Sequence, residues 1–142
     1  MYQHLLIATD GSELAAAAVA QGIELAKRLG ARVTIVTVTE PPGFATLPTP
    51  EFLDAYEKAV TEQAASILTA AGERAKEQGV ACATLHVRDR FVAEAIGTTA
   101  SEQHCDLIVM ASHGRRGVAK VLLGSETMRV LSLSNLPVLV CR

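Results

Sequence analysis

Tryptophan is absent from this chain, and aromatic residues make up only 4% of its 142 residues. Apolar residues still reach 49%, which leaves Ala, Val, Leu and Ile to build the interior, as in helix-covered parallel sheets. Excess charge is also lacking. A formal net charge of -2 and a pI near 6.1 provide no overall field for DNA, RNA or an anionic membrane, so nucleic acid and membrane are excluded as expected partners. The only cysteines are Cys82, Cys105 and Cys141, odd in number and without CxxC spacing. They fit buried thiols in a reducing compartment better than disulfides or zinc ligands. His4, His86 and His104 are scattered and form no metal-ligand pattern. No stretch approaches the roughly 20 apolar residues that a spanning helix needs. The first apolar run, Leu5 to Ala8, is too short for a signal peptide, lacks a basic flank and is soon broken by Asp10. A cytoplasmic protein without a structural metal is expected, as one domain over residues 1–142.

What is present is an alternation of two periods. Leu5-Leu6-Ile7-Ala8 reads as a strand buried on both faces, ending at Thr9-Asp10-Gly11-Ser12. Val19, Ile23 and Ala26 then recur at helical spacing, and Gly30 supplies a stop. Arg32 to Val38 is rich in β-branched residues and reads as a second strand, closed by Pro41-Pro42-Gly43. Residues 41–50 hold four of the five prolines and form one long loop. Glu51 to Gln78 reads as a single long helix, with its regularity open at Gly72. Strands are expected at Ala81–Val87, Asp106–Ala111 and Val138–Cys141, and helices at Val92–Gln103 and Ser125–Leu133, the latter with Ser125 as a good N-cap. Pro137 suits the start of the last strand. Strands alternating with helices throughout mean a five-stranded parallel sheet with right-handed crossovers, a Rossmann-like three-layer α/β/α sandwich. Ligands in such sheets bind beyond the carboxyl ends of the strands, where strand order reverses.

The loop after the fourth strand, Ala111-Ser112-His113-Gly114-Arg115-Arg116-Gly117, and the helix opening at Gly124-Ser125 can close on one anion. Glycines let backbone approach a phosphate, and a helix N-terminus presents N–H groups and a positive dipole end. Ser125 and Thr127 add hydroxyls in the first turn. Taken alone, the segment reads more readily as a plain turn followed by a helix capped by Ser125, and its placement after an apolar strand is what raises the anion-site reading.

Ala8-Thr9-Asp10-Gly11-Ser12-Glu13 and Asp106 to Arg116 (DLIVMASHGRR) resemble the universal stress protein family, over essentially the whole chain. ATP-binding members of that family carry a glycine, two residues, a glycine, nine residues, then glycine with Ser or Thr. Gly114, nine intervening residues and Gly124-Ser125 match, and Pro137 to Val140 resembles the closing strand. Two positions depart from the pattern: Ala111 stands for the first glycine, and Arg88-Asp89-Arg90 lacks a glycine common there. The resemblance implies an adenine nucleotide alpha hydrolase-like fold and an adenine-nucleotide ligand, ATP with Mg2+ foremost.

By that resemblance Ala8, Thr9 and Asp10, with Val38 at the end of the second strand, look like the adenosine side. Met110, Ala111, His113 and Gly114 would line the site after the fourth strand, and Gly124, Ser125, Glu126 and Thr127 would hold phosphates. The phosphate half also stands on helix-terminus physics. Asp10 has other readings: a capping box with Glu13, or a carboxylate serving a magnesium-bound nucleotide. His113 either meets a phosphate or shapes the loop. Arg115, Arg116, Lys120 and Arg129 are either a solvated face or charge compensation for a triphosphate. The loop Pro41 to Pro50 is a candidate cover.

No Walker lysine, GxSxG, HExxH or kinase catalytic loop occurs, so catalytic residues are not assigned and slow ATP hydrolysis is the most that is expected. A nucleotide-binding regulatory protein of the stress response leads. A dimeric interaction module without nucleotide and an enzyme of adenylate chemistry are the alternatives. Family members usually form homodimers through the closing strand, and the apolar edge Val138–Cys141 needs a cover.

Overall fold

The computed structural model of the chain describes residues 1–43, 47–114 and 123–142. Its elements run β1 (His4–Ala8), α1 (Glu13–Leu29), β2 (Arg32–Thr39), α2 (Pro50–Glu77), β3 (Cys82–Arg88), α3 (Val92–Glu102), β4 (Leu107–Ala111), α4 (Ser125–Leu133) and β5 (Val138–Cys141). All strand pairs are parallel, in the order β3-β2-β1-β4-β5. This is the expected single-domain α/β/α sandwich, with boundaries within one or two residues of those read from the sequence. α2 runs unbroken through Gly72. A Cβ there would meet Thr84 at an ordinary 3.5 Å, so nothing in the packing disturbs the helix.

The continuous apolar run of β1 is explained by its central place. Leu5 and Ile7 join Val33, Ile35, Leu107 and Val109 beneath α1 and α2. Leu6 joins Val36, Ile108 and Met110 beneath α3 and α4. Each strand sends alternate residues to opposite faces, and both faces are covered, so polar alternation has no place in the middle of the sheet. α1 lies close to the sheet because small residues face it: Ala15, Ala18, Gly22 and Ala26 are all buried. At Gly22 a Cβ would sit 2.7 Å from Ile7 Cδ1 and 3.3 Å from Val109 Cγ1.

Helix ends carry local signals. α1 stops at Gly30, whose φ of 66° lies in the left-handed region that glycine adopts without a Cβ penalty. α2 starts with Thr49 accepting from Phe52 N–H and with Pro50 in its first turn. No helix among the described residues is long and apolar enough to cross a membrane. The three cysteines are free; Cys105 and Cys141 are buried and Cys82 is half-buried. Burial pushes their thiols up, Cys105 to about 11, which leaves them unreactive as thiolates.

The end of the sheet opposite the strand C-termini is tied by Asp106, whose carboxylate accepts from the N–H groups of Gln3 and His4. The His4 ring is buried and bonds to Thr34 Oγ1 at 2.8 Å. Burial, then the charge of Arg32, hold its pKa below the ordinary 6.5, against an opposing pull from Asp106.

Two tests follow from the packing. Gly22→Val should lower unfolding free energy by about 1–3 kcal/mol, since the added methyls overpack Ile7 and Val109; chemical denaturation reads it, and an unchanged midpoint would contradict the close approach. Because the folded state binds the His4 proton less readily than the unfolded state, the His4 contribution is complete above pH 6.5 and is lost as pH falls below it. His4→Gln should therefore lose less stability than the parent between pH 7 and 5 in urea titrations, with His86 common to both proteins.

Candidate functional site

β1 and β4 are neighbours in the sheet, but the chain leaves them in opposite directions, through α1 toward β2 and through α4 toward β5. Their carboxyl ends therefore part, and a crevice opens there. A cavity of about 570 Å³ occupies it. All twelve site residues expected from the sequence line this one cavity: Ala8, Thr9 and Asp10 after β1, Val38 on β2, Met110, Ala111, His113 and Gly114 after β4, and Gly124, Ser125, Glu126 and Thr127 at the start of α4. Its walls mix apolar side chains with backbone and side-chain polar groups, and its volume falls in the range of small-molecule sites.

The turn after β1 is held by its own side chains. Thr9 Oγ1 accepts from Gly11 N–H at 3.2 Å and Asp10 Oδ1 from Ser12 N–H at 2.9 Å. Gly11 has φ 78°, a conformation glycine takes freely. The extra turn places the N-cap at Ser12, whose hydroxyl accepts from Ala15 N–H. Asp10 and Glu13 accordingly do not form a capping box. The other oxygen of Asp10 meets the loop after β4: a Cβ on Gly114 would lie 2.2 Å from Asp10 Oδ2. A side chain at position 114 would have to displace the Asp10 carboxylate, so the glycine keeps this contact between the two loops.

The start of α4 departs from expectation in three ways. Its N-cap is Gly124, not Ser125, and no side chain caps it. Ser125 is then the first helical residue, one place past the capping position. Gly124 N–H is itself engaged, donating to Ser112 O at 2.7 Å. A Cβ on Gly124 would lie 3.0 Å from His113 Cα, so this glycine serves chain-to-chain contact. Thr127 is buried and its hydroxyl donates to Ala111 O at 2.9 Å, which takes it out of the expected set of hydroxyl donors. The first-turn N–H groups of Ser125, Glu126 and Thr127 have no intrahelical partner, and these residues line the cavity.

Glu126 has a role that sequence reasoning missed. Its Oε2 accepts from Ala93 N–H at 3.1 Å, serving the start of α3, where Phe91 as N-cap offers no side-chain bond. Ala111 is buried and packs in the cluster under α1 with Ala15 and Cys141, so its extra methyl is accommodated by the core. His113 Nδ1 bonds to Ser112 Oγ at 3.1 Å. Ser112 is buried and outside the cavity lining, so this contact orients the ring rather than arming a nucleophile. Arg129 donates to Glu94 on α3 instead of facing the cavity. Arg115, Arg116 and Lys120 lie outside the described residues.

The largest omission from the sequence reading is α2. Tyr56, Val60, Gln63, Ala64 and Ile67 form one wall, at the spacing of a single helix face. That stripe was visible as a period, yet the period could not tell which surface it would meet. Thr39, Glu40, Pro41 and Gly43 add the rim after β2, and Val92 and Ile96 the floor from α3.

Comparison with known proteins agrees with this geometry. The universal stress protein family model matches residues 1–142. Universal stress protein YxiE of Bacillus subtilis is 33% identical over 150 aligned residues, covering 100% of both chains. Among solved structures, hypothetical protein MJ0577 superposes with a TM-score of 0.86 at 28% identity, over 99% of this chain and 96% of the other. A universal stress protein solved in complex with cAMP superposes with a TM-score of 0.74 at 28% identity, over 99% and 97%. With the family model covering every residue and a full-length relative at this identity, the chain belongs to the universal stress protein family.

Proposed function

We propose that this protein binds an adenine nucleotide, ATP with Mg2+ foremost, in the crevice between β1 and β4, and acts in the stress response as a cytoplasmic regulatory protein whose occupancy alters its surface. The observation that carries this reading is the N-terminus of α4: it opens on the cavity without a capping side chain, leaving N–H groups and a positive dipole end for an anion. α1 and α2, whose ends do not serve the cavity in this way, are capped by Ser12 and Thr49.

The rest of the cavity suits the remainder of such a ligand. Val38, Met110 and the α2 face offer an apolar slot for a base, and Thr9 and Asp10, which line the same cavity, are the candidates for contacting a ribose or a magnesium ion. The relative solved with cAMP lends support from a fold and sequence of the same family. The methyl of Ala111, packed into the core, is compatible with a bound nucleotide. The three free thiols, none bridged, accord with a reducing cytoplasm. Because the sequence carries no Walker lysine, GxSxG or HExxH, occupancy rather than turnover is the proposed signal, with slow hydrolysis at most.

β5 is an edge strand, and Leu139 on it is 39% exposed. An open edge with apolar side chains is suited to pairing with a second copy, so we assign β5 to a homodimer.

Calorimetric titration should give saturable binding of magnesium-ATP, with ADP and AMP weaker; no heat at millimolar nucleotide would overturn the reading. Ser125→Pro is the sharper variant. Proline is tolerated at the first helical position, and Gly124 already has φ -61° and ψ 155°, as a residue preceding proline prefers. The substitution removes one N–H and one hydroxyl from the anion site while leaving the helix start intact. It should weaken ATP about tenfold or more, the value of a hydrogen bond to a charged group, with little change in Tm. Sedimentation at micromolar concentration should return a dimer mass; a monomer would remove β5 as an interface.

A further inference from the structure

Two helix N-termini open on the cavity. α3 presents Val92 and Ile96 to it, and α4 presents Ser125, Glu126 and Thr127. Neither helix is capped by the side chain at its own N-cap, where Phe91 and Gly124 stand. Both ends carry first-turn N–H groups and a positive dipole end suited to an anion. The protein treats them differently. At α3 it supplies the anion itself: Glu126, in the first turn of α4, reaches across, and its Oε2 accepts from Ala93 N–H at 3.1 Å.

That bond fixes where the Glu126 charge sits. The side chain is half-buried in the cavity wall, rooted in α4 and fastened to the start of α3. Arg129, three residues on and at the spacing of a neighbour on the same helix face, donates to Glu94 of α3 instead. Among the described residues Glu126 has no ion pair, and the acidic and basic side chains that line the cavity are the carboxylates Asp10, Glu40 and Glu126, without a lysine or arginine. A carboxylate in a first turn is favourable to its own helix. Glu126 thus takes up part of the field at the α4 N-terminus that a bound phosphate would use, and adds like-charge repulsion to it. The bond to Ala93 does not require this charge, because an amide oxygen would accept from the same N–H.

We propose that Glu126 is a specificity-determining residue, whose fixed negative charge beside the α4 N-terminus makes the site discriminate against free polyphosphates and favour nucleotides whose phosphate charge is low or neutralised by a bound cation. This rests on the nucleotide reading of the cavity. Repulsion grows with each phosphate added, and like charges about a side chain's length apart in a partly solvated site alter binding severalfold. Adenosine, with no phosphate, is indifferent to Glu126, and magnesium-ATP feels it less than free ATP does.

Glu126→Gln separates the charge from the bond, since it keeps an acceptor for Ala93 N–H and removes only the charge. In calorimetric titrations it should tighten free ATP in EDTA about fivefold, magnesium-ATP about twofold or less, and adenosine not at all, and added salt should shrink these gains. Glu126→Asp makes the converse change. It keeps the charge on a shorter stem, so it should retain the parent's preference for magnesium-ATP over free ATP while amide exchange at Ala93 quickens. Glu24→Gln, which removes an equal charge from the surface of α1, should leave all three affinities unchanged. Unaltered affinity for free ATP in Glu126→Gln, with the parent binding nucleotide, overturns the proposal alone. Loss of the preference in Glu126→Asp as well would assign the effect to the bond with α3 and overturn it equally. Absence of binding by both the parent and Glu126→Gln overturns the nucleotide reading and the role of Glu126 with it.

Discussion

The constraint on which everything else depends is the handedness of the crossovers in a parallel sheet. Each strand must be joined to the next by a helix that passes over one face, and the right-handed rule makes that face depend on the direction of travel along the sheet. From β1 the chain moves outward to β2 and β3, and α1 and α2 cover one face. After β3 it returns across β1 and continues to β4 and β5, and α3 and α4 cover the other. The reversal leaves the carboxyl ends of β1 and β4 side by side with their loops diverging. A cavity there is a consequence of topology before any side chain is chosen.

Within that crevice the protein uses much of its polar inventory on itself. Gly114 makes room for Asp10, Gly124 for His113, and Thr127 and Glu126 bond to Ala111 and to the start of α3. These contacts bring three loops and two helix ends to one place and hold them there. What they leave unspent is the first-turn backbone of α4. Pre-organisation of this kind puts donors in place before a ligand arrives, so that little ordering is required on binding. The glycines of the signature read in this light as conditions for building the site, whatever the ligand contacts.

α2 is governed by the opposite arrangement. Its buried residues all lie in its second half, and in its first half Glu57 bonds to Arg88 at the edge of the sheet. The departure from the family pattern at Arg88-Asp89-Arg90 falls at this joint, away from the phosphate end.

Nearly all of the fold was legible because period and punctuation agreed. The run Leu5 to Ala8, the β-branched stretch from Arg32, and the stops at Gly30 and Gly79 each follow from local backbone preference and two-sided burial. The same reading brought Asp10, His113 and Ser125 into one crevice, since parallel topology dictates where loops gather. Cap identity escaped it: an added positive-φ residue at Gly11 moved the start of α1, and Gly124 took the place expected for Ser125. So did the engagement of Thr127 and Glu126, because a hydroxyl or carboxylate in a first turn can face a ligand or a neighbouring element, and sequence spacing is the same for both. The sequence by itself determined the elements, their order and the end of the sheet where a site must lie, all of which rest on local periodicity and chain handedness. Only the tertiary structure decided which donors remain free, which are spent within the protein, and that α2 supplies a wall, because those depend on distances between residues remote in the chain.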